Sequence, residues 1–478
     1  MERTSGVLMH ISSLNGNYSI GSFGNEAKEF IDCLSDAGFT WWQVLPFCPV
    51  DECNSPYKSY GAFGGNPFFV DLQKLYDKGL LTEKELESAK QAQPYSAEFE
   101  KLNEERLKLL KIASLRVKDK AKIETFVMSN PYIEKFCEFM ALKEANDNKA
   151  WTLWTEEEPD SETLFMWKFI QYEFFSQWAE IKEYANSKGV KILGDIPIYV
   201  SHDSADVWAN KELFLLDEDG APSCVAGVPP DYFSEDGQLW GNPIYDYERM
   251  RKDGFRWWKD RITHMLKMFD GVRIDHFRGI ESFWSIPADA TSAREGKWVK
   301  GPGHLLIDAI KSVSGDNLIV AEDLGLITED VVKLVEESGF PGMKVLQFGF
   351  LGEENSPHMP HNYSENCVAY TGTHDNNTLL GYVWEISEEQ RNTLLDYVGY
   401  TDKNWDNCYD SVLRAIYQSH AKTVIFPIQD LLGYGSDTRL NVPGRPEKNW
   451  EFRVTKEQIQ GVNWEKFKKW NNLYGRRA

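Results

Sequence analysis

The chain has 478 residues, 42% of them apolar, which is enough for a large core, and a formal net charge of −22. That charge speaks against a nucleic-acid backbone or an anionic membrane as partner, because both repel it. No apolar run approaches the ~18 residues of a membrane span, no signal-peptide stretch precedes His10 and Ser12, and seven cysteines without a Cys-x-x-Cys pair predict free thiols in a reducing cytoplasm.

Short β-rich runs alternate with helical patterns along most of the chain. Strands are predicted at 7–12, 40–47, 191–200, 271–277, 317–324, 342–348, 367–374 and 422–429. Amphipathic segments such as 25–37 and 328–338 lie between them. In the second, Thr328 is placed as the N-cap, with Glu329 and Asp330 in the first turn where the helix dipole favours negative charge. Strand and helix in repeated order mean parallel pairing, and eight strands predict an α/β fold of the closed (β/α)8 TIM-barrel kind over residues 1–478.

Two stretches interrupt the alternation. Residues 73–188 read as a helical insertion between strands two and three, where Phe165, Phe169, Tyr172, Phe175, Trp178 and Ile181 form a stripe at helical spacing, expected to pack in the core. Residues 201–253, rich in Gly, Pro, Asp and Tyr, read as a loop-rich insertion between strands three and four. A loop that long in a compact domain is expected to cover a site.

In a barrel of this kind chemistry sits at the C-terminal ends of the strands. Strand four delivers Arg273 and Asp275, two apart and so on one face. Strand five delivers Glu322, strand seven His374 and Asp375, and strand three carries Asp195. A single acid of this kind is commonly a cap or an ion-pair partner. Several acids turned into one mouth repel one another and raise each other's pKa, a cost that function explains better than packing does. Two chemistries fit such a mouth. A divalent metal site is one, and His10, His276 and His374 are its histidine candidates, without a His-x-His pair. Glycosidic chemistry is the other, with one ionised and one protonated carboxyl. Aromatic residues, 14% of the chain, supply packing and surfaces on which sugar rings can stack. No Gly-rich loop at a strand–helix junction offers to cradle phosphates.

At these residues the sequence resembles the α-amylase superfamily, and more closely the amylomaltases of glycoside hydrolase family 77. The resemblance lies in Ser55-Pro56-Tyr57, Gly65-Asn66-Pro67, Gly194-Asp195-Ile196-Pro197, the 225–243 segment with Trp240, the Arg273 to Gly279 run, Ala321-Glu322-Asp323-Leu324-Gly325, the Thr371 to Asn376 run and Leu440-Asn441-Val442-Pro443-Gly444. It extends from about residue 5 to about residue 455. Gly61 and Gly65 depart from the pattern, standing where Ser and Ala are common. The resemblance implies a 4-α-glucanotransferase acting on malto-oligosaccharides and α-1,4-glucans as donors and acceptors, with glucose as a further acceptor, and with neither cofactor nor metal. It implies Asp275 as nucleophile, Glu322 as general acid and then base, and Asp375 as stabiliser of the transition state. It further implies sugar contacts from Ser55, Tyr57, Asp195, Arg273, His374 and Asn441, with Trp240 lining the acceptor side. An α-glucan hydrolase using the same acids is the alternative, and a barrel that only binds glycans is expected to have lost one of them.

Overall fold

The computed structural model describes residues 3–50, 52–230, 235–353, 355–400, 405–445 and 447–477. Its strands, in chain order, are β1 (Thr4–Leu8), β2 (Trp41–Gln43), β3 (Lys191–Ile196), β4 (Cys224–Val228), β5 (Gln238–Pro243), β6 (Gly271–Ile274), β7 (Ser282–Pro287), β8 (Lys297–Lys300), β9 (Leu318–Ala321), β10 (Gly342–Val345), β11 (Cys367–Tyr370) and β12 (Thr423–Pro427). Eight of them form one sheet in the order β10-β11-β12-β1-β2-β3-β6-β9, every pairing parallel. The two ends of that order approach each other, and Ala321 N–H donates to Pro341 C=O at 2.9 Å across the seam. This is the (β/α)8 barrel. Its strands are apolar runs, buried almost throughout, as expected of a parallel sheet covered on both faces.

Seven of the eight barrel strands fall inside the ranges the sequence predicts, each shorter than predicted. The first is displaced: pairing covers Thr4–Leu8, and Ile11–Ser13 turns helically instead of continuing the strand. The helix expected from 328 spans Glu329–Ser338 with Thr328 at the N-cap position, but the Thr328 side chain makes no capping bond. Gly339, in the left-handed region at φ 70°, ends this helix with its N–H on Glu336 C=O.

A helix of 27 residues, Ser161–Ser187, runs between β2 and β3. Of the predicted stripe, Phe165, Phe169, Trp178 and Ile181 are buried, and Tyr172 and Phe175 are partly buried against the same core. Trp178 reaches the barrel: its ring stands 4.7 Å from that of Phe47, and its Nε1–H donates to Met268 C=O at 2.9 Å. Burial extends beyond the stripe to two amides. Gln171 Nε2 donates to Gly65 C=O at 2.9 Å and its Oε1 accepts from Gly65 N–H at 2.7 Å. Gln177 Oε1 accepts from Asp71 N–H at 2.8 Å. These bonds satisfy buried backbone groups that a loop could not leave unpaired. They lock the Gly65-Asn66-Pro67 segment onto the helix.

That lock explains the glycine. A Cβ at position 65 would stand 2.2 Å from Phe174 Cδ1. Gly65→Ala is therefore expected to lower the unfolding free energy by about 1–3 kcal/mol, the cost of overpacking a well-filled core. Urea unfolding measures it, and Phe174→Leu in the same chain should recover part of the loss.

A four-stranded antiparallel sheet, in the order β5-β4-β7-β8, stands beside the barrel. It joins two strands from the region between β3 and β6 to two that follow β6. The helices and turns between β3 and β6 make that region more regular than the loop the sequence predicts.

Candidate active site

Asp275 follows β6 and Glu322 follows β9. These strands are neighbours, with Ile274 opposite Ala321. The two acids are thus the next residues on adjacent strand ends, and both are held from behind.

Arg273, buried on β6, forks between two carboxylates. Its Nη1 donates to Asp195 Oδ2 at 2.6 Å and its Nη2 to Asp275 Oδ1 at 2.7 Å. Asp195 sits across the β3–β6 ladder, in register with Arg273. Its Oδ2 also accepts from the Tyr57 hydroxyl at 2.7 Å, while its Oδ1 is buried with no partner. Tyr57 stacks on the His374 ring, with centroids 5.1 Å apart and planes 14° apart. His374 Nε2 lies 3.2 Å from Asp375 Oδ2, and Asn441 Nδ2 donates to Asp375 Oδ1 at 2.6 Å. Asn441 is held in turn by its own N–H on His374 C=O at 3.2 Å. Ser55 is one step removed in this arrangement: its Oγ accepts from Tyr57 N–H at 3.3 Å and shapes the turn that presents the tyrosine.

Glu322 is gripped by backbone. His276 N–H donates to its Oε2 at 2.6 Å and Leu324 N–H to its Oε1 at 2.8 Å. The first bond comes from a residue in the left-handed region, His276 at φ 51°, a conformation that non-glycine residues seldom adopt outside special sites. Trp240 meets the His276 ring nearly at right angles, with centroids 4.8 Å apart.

The electrostatics separate the acids. Burial raises Glu322, and the neighbouring Asp275 charge raises it further; Arg273 and the two backbone donors offset only part, leaving it at about 8. Asp275 is also raised by burial and by the charges of Asp195 and Asp375, but Arg273 counters them and it rises only to about 6. Asp375 goes the other way: burial disfavours its ionised form, but His374 and the Asn441 bond outweigh burial and bring it to about 2. Asp375 in return raises His374 against the effect of burial. Near neutrality the ionised and the protonated carboxyl required for glycosidic chemistry are both present.

Arg273, Asp275, Glu322 and Asp375 line a cleft of about 590 Å³; Ser55, Tyr57, Asp195, Trp240 and Asn441 are not among its lining residues, and His374 lines a smaller cavity beside it. The lining of the cleft also brings in His276, Arg278, Trp298, Tyr382 and Arg439, which the sequence analysis did not assign as sugar contacts. His276 and Arg278 were within reach of it, since they lie in the same run as Asp275. Trp298 was not, because nothing in the sequence tells that β8 folds back to the cleft. Among the described residues, no group of three or more His, Cys, Asp or Glu side chains is placed to hold a metal ion. The acids are spread around Arg273 instead of converging on a point. In the 225–243 segment, residues 231–234 lie outside the described residues; Val228, Pro229 and Gln238 reach the cleft.

Comparison with known proteins gives the same direction. The family model for 4-alpha-glucanotransferases, glycoside hydrolase family 77, matches residues 9–458. A 4-alpha-glucanotransferase of Streptococcus pneumoniae serotype 4 is 44% identical, over 96% of this chain and 94% of its own. One from Clostridium butyricum is 42% identical, over 98% of this chain and 100% of its own. Among solved structures, an amylomaltase from Streptococcus agalactiae in complex with acarbose superposes with a TM-score of 0.95 at 38% identity, with all of both chains covered. With matches over nearly its whole length, and the acids of the barrel mouth arranged as described, the chain belongs to the 4-alpha-glucanotransferases of glycoside hydrolase family 77 and is an enzyme of that class.

Proposed function

We propose that this glucanotransferase moves α-1,4-glucan segments between malto-oligosaccharides, with glucose as a further acceptor, by two displacements through a glycosyl ester on Asp275. The observation that carries the reading is the opposed setting of two acids on neighbouring strand ends. Asp275 is held ionised by Arg273, and Glu322 keeps its proton in a buried place beside that charge. Glu322 gives its proton to the glycosidic oxygen as Asp275 attacks C1 from the other side of the sugar. The chain beyond the broken bond leaves with that proton. Glu322, now a carboxylate, then takes the proton of an incoming 4-hydroxyl, which attacks C1 and releases Asp275. Two inversions retain the α configuration. Asp375, ionised and oriented by His374 and Asn441, binds hydroxyls of the sugar being transferred, and Tyr57 and His374, with the buried Asp195 holding Tyr57 from behind, form the rest of its bed. Trp240, packed on His276, together with Val228, Pro229 and Gln238 at the cleft, favours transfer over hydrolysis by shielding the ester from water.

No cofactor or metal enters these steps, since the energy of one glycosidic bond is kept in the next. The relative solved with acarbose supports an oligosaccharide in the cleft. No helix among the described residues is long and apolar enough to cross a membrane. The described cysteines, none of them in a disulfide, suit a reducing cytoplasm.

Incubation with maltotriose tests the function. The expected products are glucose together with maltopentaose and longer chains, at constant total reducing ends. Rising reducing ends without longer chains would replace transfer by hydrolysis.

The pH profile tests the two acids. Activity requires ionised Asp275 and protonated Glu322. It is therefore expected to rise with pH through about 6 and to fall through about 8, the two steps belonging to the pair as a unit. Initial rates on maltotriose across that range measure it, and activity still climbing above the second step would remove Glu322 as the acid.

A further inference from the structure

We propose that the indole of Trp298 is a platform for a glucose unit of the leaving and accepting chain, one or two sugars beyond the bond that is broken. The inference rests on the roles given above to Asp275 and Glu322. The general acid must face the glycosidic oxygen, so the departing chain lies on the Glu322 side of the transferred sugar. Tyr57, Asp195, His374 and Asn441 belong to the other side, around β11, β3 and the segments that follow β2 and β12. On the Glu322 side, the cleft is walled by His276, Arg278, Leu326 and Trp298.

Trp298 has the form of a fixed ring with one open face. Strand β8 pairs it directly opposite Trp284 on β7. The two rings stand 5.1 Å apart at 68°, and Trp284 is itself anchored by Nε1–H on Ala293 C=O at 2.8 Å. The guanidinium of Arg278 lies over the Trp298 ring at 3.8 Å from its centre. Arg278 is buried and cannot swing away: one terminal nitrogen donates to Leu326 C=O and the other to Ser282 Oγ at 3.2 Å. With that face taken, Trp298 is still 39% exposed and lines the cleft. No described residue accepts a hydrogen bond from its indole N–H. Leu326, 56% exposed, continues the apolar rim beside it. A large exposed aromatic ring, stacked from behind by a cation and edged by leucine, suits the apolar C–H face of a pyranose, with a free N–H for one of its hydroxyls.

A platform beyond the first acceptor position acts only on acceptors long enough to reach it. The test compares glucose, maltose and maltotriose as acceptors at one fixed labelled donor, α-maltosyl fluoride, whose leaving fluoride does not reach the platform, in the wild type, W298F and W298A. Transfer to glucose is expected to stay within about twofold. The preference for maltotriose over glucose, as a ratio of kcat/KM, is expected to fall about tenfold in W298A and to survive largely in W298F, the scale of one aromatic contact. Equal loss on all acceptors, or an unchanged preference in W298A, would overturn the proposal. Should W298A fail to fold, W298L, which keeps an apolar side chain on the ladder without a ring, replaces it. Calorimetric binding of maltotriose to E322Q and to E322Q/W298A decides the platform independently of turnover. Weaker binding in the second supports the platform even if the roles given to Asp275 and Glu322 fail, and equal binding rejects it even if they stand.

Discussion

Asp275→Asn is expected to fold as the wild type does and to lose transfer activity by about 10⁴-fold or more, the scale on which removing an enzyme nucleophile acts. The amide has no charge with which to attack C1 and forms no ester. The fold is spared because Arg273 keeps its buried bond to Asp195, so no buried cation is left alone. The same change removes the negative charge that helps to raise Glu322, so the Glu322 proton should leave at lower pH than in the wild type. Rates on maltotriose, a thermal melt and carboxyl NMR of the glutamate together check the three parts. Activity near the wild-type level in a well-folded variant would remove Asp275 from the mechanism.

Glu322→Gln is expected to lower kcat on maltotriose by about 10²–10⁴-fold, the contribution of a positioned general acid. The loss should depend on the leaving group. Fluoride departs without a proton, so an α-maltosyl fluoride should still transfer its sugar to Asp275 in the first step. The second step then slows, because no base takes the proton of the acceptor. The expected pattern is a burst of fluoride equal to the enzyme, followed by slow turnover. An equal loss of the burst with the fluoride and of turnover with maltotriose would mean that Glu322 does not act on the leaving group. The variant also keeps one backbone bond at most in its original sense, since the amide nitrogen cannot accept from His276 or Leu324. A thermal melt therefore belongs with the kinetics.

How much of this could be read in the sequence depended on whether a residue's partner was near in the pattern. The barrel strands are short buried runs, and Arg273, Asp275, Glu322 and Asp375 stand at or just beyond the ends of three of them, as the sequence pattern implies. The Ser161–Ser187 helix declared itself by its aromatic spacing. The antiparallel sheet did not: its central pair joins β4 to β7 across the intervening β6, and pairing between strands so far apart leaves no local signal. Gln171 and Gln177 looked like ordinary helix polar residues, because their value lies in backbone groups of a distant loop. The left-handed backbone of His276 was equally hidden, for histidine does not announce that conformation as glycine does. Thr328 shows the opposite error, a residue of the right type at the cap position whose side chain makes no bond. Ser55 sits in a recognisable motif yet acts on Tyr57, a distinction that depends on where its oxygen points.

The ester at Asp275 is tested most directly by the Glu322→Gln enzyme with α-maltosyl fluoride. After a short incubation, acid quench and proteolysis, mass spectrometry should find a maltosyl increment on the peptide that carries Asp275, and none when Asp275 is also replaced by Asn. A burst of fluoride with no modified peptide, or with the sugar on another residue, would contradict the proposed mechanism.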